Sequence, residues 1–190
     1  MTPESHLLES VGGVPLLGVI ATSGGGKTTL LTALIPHLSA RGLRVGCIKH
    51  SHHDFDVDRP GKDSQRLRAA GATQVMLSGR GRWVLMTEHG DATDAPLDAL
   101  LDAMDLASLD LVLVEGFRRT AISRLEVHRV EHALAPLCTS DTSVIALASD
   151  ATPLPAVGIP VFALADLVAI TAFVCEHVRR LHLRHGRATA

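Results

Sequence analysis

The sequence predicts an α/β fold of three layers, in which helices cover a mainly parallel β-sheet. Two observations support this prediction. Short, continuous apolar runs, typical of strands buried on both faces, alternate with longer amphipathic segments along the chain. The first unit is a strand, a glycine-rich turn, a helix and a strand over residues 14–50, which is the arrangement that connects parallel strands.

Each predicted strand is a short apolar run bounded by turn or charged residues. In chain order the runs are 14–22, 43–50, 73–78, 82–88, 109–117, 124–130, 142–150 and 158–164. The runs 73–78 and 82–88 flank a Gly-Arg-Gly turn, so we expect them to form a hairpin or two adjacent strands. The run 124–130 alternates apolar and polar residues, which favours an edge or interface strand.

The predicted helices follow the 3.6-residue period of apolar positions. They span 28–42, 61–72, 96–105 and 165–185. In the first of them Pro36 should kink the helix or weaken one turn, and Gly42 should end it. Asp63 or Ser64 is expected to cap the second.

The bulk composition disfavours nucleic acid and membrane partners. Eighteen basic and 20 acidic residues give a net charge of −2, and aromatic residues are 3% of the chain, too few for base stacking. The longest apolar stretch, 167–175, is too short to span a bilayer. The N-terminal residues do not resemble a secretory signal, so we expect a cytoplasmic protein.

The cysteines fit a reducing compartment. Cys47, Cys138 and Cys175 are far apart in the chain, odd in number and form no C-x-x-C motif. This pattern argues against a disulfide framework and against a zinc ribbon.

The segment VIATSGGGKTTLL, residues 19–31, matches a phosphate-binding loop between a strand and a helix. Ala21 replaces the first glycine of the G-x-x-x-x-G-K-[ST] template, and Lys27 and Thr28 close it. The predicted phosphate-binding residues are Ser23, Gly24, Gly25, Gly26, Lys27, Thr28 and Thr29. The alternative is a structural glycine-rich turn with an incidental lysine. The strand before the loop and the helix after it favour a P-loop NTPase fold.

Glu115 ends the apolar run 109–117, where P-loop proteins place an acid near the bound metal. We predict that Thr28 and Glu115 hold Mg²⁺ and that Lys27 and Glu115 are the catalytic residues. The alternative for Glu115 is an ordinary carboxylate that caps the next turn.

Recognition of the base is less clearly marked. The chain contains no Asn, so the Asn-Lys-x-Asp segment that many GTPases use for guanine is absent as such. Asp150 follows the strand 142–150, where that segment would lie, and its carboxylate could accept hydrogen bonds from guanine. Helix capping by Asp150 is an equally good alternative.

Lys49 and His50 end the second predicted strand, at the same sheet edge as the loop, and are predicted to line the nucleotide site. Five further His and Asp residues follow them: His52, His53, Asp54, Asp56 and Asp58. We rank a loop that responds to phosphate first, with Lys49 and Lys62 near the phosphates. A His/Asp metal site ranks second and a solvated polar loop third.

Three segments together resemble the MobB family of molybdopterin-guanine dinucleotide biosynthesis adapter proteins. They are GKTTLL, the run from GLRVGCIKH to GKDS with the following AGA, and LVLVEGF; the likeness extends from about Leu16 to Asp150 and includes RLEVHR. The resemblance implies a GTP-binding homodimer with weak GTPase activity. Such a protein assists the guanylyltransferase MobA, which attaches GMP to molybdopterin.

The resemblance also sets the expected domain organisation. We predict an N-terminal extension over 1–14 and one P-loop GTP-binding domain over 15–190, with a hairpin at about 72–89 as the dimerisation element. GTP and Mg²⁺ are the expected cofactors. Molybdopterin, MobA and other proteins of molybdenum cofactor biosynthesis are the expected partners.

Two other functions remain open from sequence. A P-loop small-molecule kinase would need an Arg-rich lid, for which 78–83 is the candidate. A metal-insertion GTPase would use the histidines at 50–53. Arg118 and Arg119 are candidates for an arginine finger; if neither is fixed in place, hydrolysis should be weak.

Overall fold

The computed structural model describes residues 7–51, 57–89 and 94–186. The chain divides into two compact units. One contains residues 1–50 and 100–190, and the other contains residues 51–99. The predicted ligands His52, His53, Asp54 and Asp56 lie outside the described residues.

The larger unit is built on a seven-stranded sheet in the order β3-β6-β2-β7-β8-β9, with β1 paired to β2. The strands are β1 (Ser10–Val11), β2 (Val14–Ala21), β3 (Val45–Lys49), β4 (Gln74–Gly79), β5 (Arg82–Thr87), β6 (Leu111–Glu115), β7 (Arg124–His128), β8 (Val144–Ser149) and β9 (Val161–Ala163). All pairings on the main path are parallel, and the β1–β2 pairing is antiparallel. The prediction of a mainly parallel α/β sheet is therefore confirmed.

The helices are shorter than the sequence pattern predicts. They are α1 (Lys27–Ser39), α2 (Asp63–Ala69), α3 (Leu97–Asp102) and α4 (Leu167–Arg184). Helix α1 runs through Pro36 to Ser39. The predicted cap of α2 is wrong, because Lys62 occupies the cap position and its side chain makes no capping hydrogen bond.

The core is continuous from the central strands to two helices. Every residue of β2 is buried, and alternate residues of β2, β6 and β7 pack against the leucines of α1 and the apolar face of α4. On the opposite face of β3, Met104 and Leu109 lie directly over Gly46. The buried leucines and valines supply most of the driving force for this packing.

Strand β7 lies inside the sheet, between β2 and β8, so of the two predicted alternatives the edge strand is wrong. The polar residues in its alternating pattern are buried rather than exposed. Arg124 is 4% exposed and Glu126 is 2% exposed. Both carboxylate oxygens of Glu126 accept backbone N–H groups, from Leu137 at 2.6 Å and from Cys138 at 2.8 Å. These bonds allow an interior strand to carry charged residues.

The smaller unit contains the predicted hairpin. Strands β4 and β5 pair antiparallel, from Gln74 opposite Thr87 to Gly79 opposite Arg82. Helix α2 lies against β4, and Arg68 forms an ion pair with Glu88 at 2.8 Å. Residues 78–83, the candidate kinase lid, form the end of this hairpin.

No helix among the described residues is both long and apolar enough to cross a membrane.

Candidate functional site

The glycine-rich loop connects β2 to α1 at the carboxyl end of the sheet. Gly24 and Gly26 have φ angles of 72° and 86°, which side chains rarely adopt. Gly25 is required for a different reason, because a Cβ there would lie 2.8 Å from the Cβ of Ala21. Backbone conformation thus explains Gly24 and Gly26, whereas Gly25 leaves room for the side chain of Ala21 at the first position of the loop.

The N-terminus of α1 opens from this loop at Lys27. Gly26 is the cap residue and has no side chain, so the first N–H groups of the helix are not capped from that position. The positive end of the helix dipole therefore lies at the loop, and Lys27 is the first residue of the helix. This is the local chemistry that binds phosphate groups.

On one side of the loop, three polar side chains meet at the ends of β3, β6 and α1. The Thr28 hydroxyl donates to both oxygens of the Glu115 carboxylate, at 3.0 and 3.2 Å. The Lys49 ammonium donates to Thr28 Oγ1 at 3.2 Å and lies 3.6 Å from Glu115 Oε1. The parallel register places Lys49 beside Glu115, and Glu115 beside Val19 of the loop strand.

These side chains fit a magnesium ion. A hydroxyl oxygen and a carboxylate are hard ligands of the kind that Mg²⁺ prefers, and the Glu115 side chain is only 11% exposed. The ammonium of Lys49 here neutralises a carboxylate that would otherwise be buried as an unpaired charge. The described residues contain no group of three or more His, Cys, Asp or Glu side chains that could hold a metal.

His50 lies just beyond this cluster and packs against the turn that follows β6. Its backbone N–H donates to the Glu115 carbonyl at 2.8 Å, and its ring lies 5.1 Å from the ring of Phe117. Gly116 has a φ of 101°, and a Cβ there would lie 2.6 Å from the Cβ of His50. Gly116 is therefore needed for this close contact.

On the other side of the loop lies a pocket of about 330 Å³. Thr29 and Ala33 of α1 form one wall, and another is formed by Asp150, Leu164, Ala165 and Leu167. These last residues follow β8 and β9, so the pocket lies at the carboxyl edge of the sheet. Ligands bind at this edge in open α/β sheets.

Arg129 follows β7 and lies between the loop and Asp150. Its Nη1 is 3.6 Å from Asp150 Oδ2, while Asp150 Oδ1 accepts the N–H of Val130 at 2.9 Å. The carboxylate of Asp150 therefore stabilises the turn after β7 and also faces the pocket. Sequence reasoning missed Arg129, because the sequence shows that it follows a strand but not that this strand lies next to the loop strand.

Arg118 and Arg119, the candidate arginine fingers, follow β6. The guanidinium of Arg118 donates to the carbonyl of Ala21, at the base of the loop. Arg119 is exposed.

The fold and the site define a class of protein. A parallel sheet with a glycine-rich loop after its central strand, and an acid at the end of the adjacent strand, is consistent with a P-loop NTPase-like protein. The family model described as "MobB: Molybdopterin guanine dinucleotide synthesis protein B" matches residues 16–150. The chain belongs to this family.

Curated relatives and solved structures agree with this assignment. The molybdopterin-guanine dinucleotide biosynthesis adapter protein of Escherichia coli K12 is 44% identical over 173 residues, covering 88% of this chain and 95% of that protein. The adapter protein of Haemophilus influenzae is 48% identical over 137 residues, covering 72% of this chain and 75% of that protein. The crystal structure of Bacillus subtilis MobB has a TM-score of 0.67 at 26% identity, covering 86% of this chain and 97% of that one.

Proposed function

We propose that this protein is a GTP-binding adapter in molybdenum cofactor biosynthesis, which assists the guanylyltransferase MobA in forming molybdopterin guanine dinucleotide. The observation that carries the proposal is the arrangement around the loop. The Thr28–Glu115–Lys49 cluster lies on one side and the pocket with Asp150 lies on the other. This arrangement suits a nucleotide whose phosphates lie on the loop. Family membership and the names of the relatives supply the pathway.

In this proposal the phosphates bind to the loop and the first turn of α1. Backbone N–H groups of the loop and of the first turn of α1 would donate to the anion, apart from the N–H of Gly25, which donates to the Thr22 carbonyl at 3.0 Å, and Lys27 would supply a compact positive charge. Thr28 and Glu115 would hold Mg²⁺, directly or through water. The ion would neutralise negative charge on the phosphates. The Lys49 ammonium, next to Thr28 and Glu115, would neutralise part of the same phosphate charge.

The pocket is the proposed guanosine site. Its volume of about 330 Å³ is within the range of small-molecule pockets. The Asp150 carboxylate, with 35% of its side chain exposed, faces this space. A carboxylate can accept the two parallel N–H groups of guanine, and adenine does not offer that pair.

We expect weak GTP hydrolysis, and the contact of Arg118 supports this expectation. Its guanidinium is bound to the Ala21 carbonyl, so in this conformation it is committed to the loop rather than to a transition state. Lys27 and Glu115 then remain as the proposed catalytic groups. A site of this kind binds GTP and turns it over slowly.

The hairpin is the proposed dimerisation element. On one of its faces the apolar side chains of Met76, Trp83 and Leu85 are 59%, 64% and 38% exposed. An isolated two-stranded hairpin is marginal in water, and an apolar face of this kind is expected to be covered by a partner. We propose that the partner is a second copy of the chain.

Reconstitution tests the adapter role. MobA from the same organism, molybdopterin and GTP are incubated with the purified protein or with its Lys27→Ala variant. The proposal expects the wild-type protein to raise the yield of molybdopterin guanine dinucleotide and the variant to lose this effect. An equal yield with and without the wild-type protein would contradict the adapter role.

A further inference from the structure

The sheet order separates the site into two sides. Strands β3 and β6 lie on one side of the loop strand β2, and β7, β8 and β9 lie on the other. The Thr28–Glu115–Lys49 cluster belongs to the first side, and the pocket belongs to the second. A nucleotide that fills both would place its terminal phosphate near the cluster and its nucleoside in the pocket.

Arg129 occupies the boundary between the loop and the pocket. A Cβ built on Gly26 would lie 3.2 Å from Nη2 and 3.3 Å from Nε of Arg129, so the guanidinium rests against the loop at the start of α1. The same side chain lines the pocket. It is 31% exposed, which leaves it open to a ligand from the pocket side.

The ion pair with Asp150 does not occupy all the N–H donors of the Arg129 guanidinium. The Nη1–Oδ2 distance of 3.6 Å is longer than a hydrogen bond, whereas a guanidinium carries five N–H donors in a planar fork. Such a fork matches the oxygens of a phosphate group. The position of the guanidinium, and its N–H donors that bond no acceptor among the described residues, together point to an anion at the mouth of the pocket.

We propose that Arg129 binds the α-phosphate of the guanine nucleotide. This inference rests on the proposed function, because it names a contact within the same site. The α-phosphate is the phosphate joined to the nucleoside, and Arg129 is the cation on the nucleoside side of the loop. Lys27 and Lys49 then serve the outer phosphates. Arg129 therefore determines affinity for nucleoside phosphates of any length, and it is not an arginine finger for the γ-phosphate.

Titration calorimetry of Arg129→Ala with GTP and GDP, in the presence of Mg²⁺, tests this contact. The expected result is a loss of affinity of about tenfold or more, equal for GTP and GDP, because both carry the α-phosphate. Arg179→Ala is the matched control. Arg179 is an exposed arginine paired with Glu176 on α4, and its removal should leave both affinities unchanged.

The two proposals fail in different ways. If the wild-type protein binds GDP and Arg129→Ala binds it equally well, the inference is overturned and the proposed function stands. Weakened binding of GTP alone would place Arg129 at the γ-phosphate and would also overturn the inference. If the wild-type protein binds neither nucleotide, both proposals fall.

A second measurement distinguishes a direct contact between Arg129 and the α-phosphate from an indirect effect of Arg129 on the structure of the site. Arg129→Lys keeps the positive charge, so it provides a folded comparison if Arg129→Ala does not fold. Phosphorus NMR of bound GDP should show the α-phosphorus resonance shifted in Arg129→Lys relative to wild type, and the β-phosphorus resonance little changed. A β shift as large as the α shift, or no shift of either, would contradict the contact.

Discussion

Glu115 shows how a single side chain connects the sheet to the proposed chemistry. It ends β6 and lies in register with Lys49, and its carboxylate accepts the Thr28 hydroxyl. A buried carboxylate with a hydroxyl beside it is suited to a magnesium ion, and the charge of the carboxylate is what attracts that ion.

Glu115→Gln should therefore remove the magnesium dependence of GTP binding. Glutamine keeps the size of the side chain and an oxygen for the Thr28 hydroxyl, so the folded structure should persist. We expect the GTP affinity of the variant to be the same with Mg²⁺ and with EDTA. A variant that retains the wild-type difference between the two conditions would exclude Glu115 from the metal site.

His177 on α4 makes stability depend on pH. It is 3% exposed; burial first, and then the charge of Arg180, lowers its pKa from 6.5 to about 4. Arg184 also lowers this pKa, whereas Glu9 and a backbone contact raise it. The unfolded chain thus takes up a proton between pH 6.5 and 4 that the folded chain excludes.

The free energy of unfolding should consequently be unaffected by this group above pH 6.5 and fall as the pH drops toward 4, by on the order of 2–3 kcal/mol. His177→Gln should flatten that slope. His37→Gln, at an exposed position on α1, is the control and should keep it. Urea denaturation at several pH values measures both slopes, and an unchanged slope in His177→Gln would refute the assignment.

In strand β7 the alternating sequence pattern and the observed position in the sheet disagree. Its polar residues indicate an edge strand if polar side chains are assumed to be exposed to solvent. In the structure Arg124 instead turns toward the loop after β6 and hydrogen-bonds several groups there and after β7. These are the carbonyls of Phe117, Arg118 and Thr120, the Ser143 hydroxyl and the Asp141 carboxylate.

Arg124→Met should destabilise the fold by about 3 kcal/mol, because the Arg124 side chain is 4% exposed and all of its hydrogen bonds to these groups are lost. Arg44→Met is the control. Arg44 forms an ion pair with Asp110 but 57% of its side chain is exposed, so its loss should change stability by less than about 1 kcal/mol. Similar losses of unfolding free energy for the two variants in chemical denaturation would show that the hydrogen bonds of Arg124 contribute no more to stability than the exposed ion pair of Arg44.

The elements that the sequence predicts well are those governed by local rules. The loop 19–31 and the strand ending at Glu115 could be predicted because residue type and spacing carry their function. Arg129 could not, because its position depends on which strand lies next to β2. The interior position of β7 could not be predicted either, because the groups that hydrogen-bond the Glu126 carboxylate are the N–H groups of Leu137 and Cys138, more than ten residues along the chain.

At the scale of the whole molecule, the two units have different proposed tasks. The larger unit carries the loop, the cluster and the pocket. The smaller unit contains a hairpin with an exposed apolar face. If the hairpin forms the dimer, self-association and nucleotide affinity should be separable by mutation.

Trp83→Glu should convert a dimer to a monomer and leave GTP affinity unchanged, since it places a charge on the apolar face of the hairpin. Leu183→Glu is a matched control, at a position on α4 that is 66% exposed. Sedimentation velocity reports the mass of each variant. A Trp83→Glu protein that sediments as wild type would remove the hairpin from the interface.

Nucleotide titration tests whether the glycine-rich loop binds a guanine nucleotide. The purified protein is titrated with GTP, GDP and ATP, with and without Mg²⁺, and the Lys27→Ala variant is titrated in parallel. We expect magnesium-dependent binding of GTP and GDP, weaker binding of ATP, and loss of all three in the variant with an unchanged melting temperature. No binding, or wild-type affinity in Lys27→Ala, would contradict it.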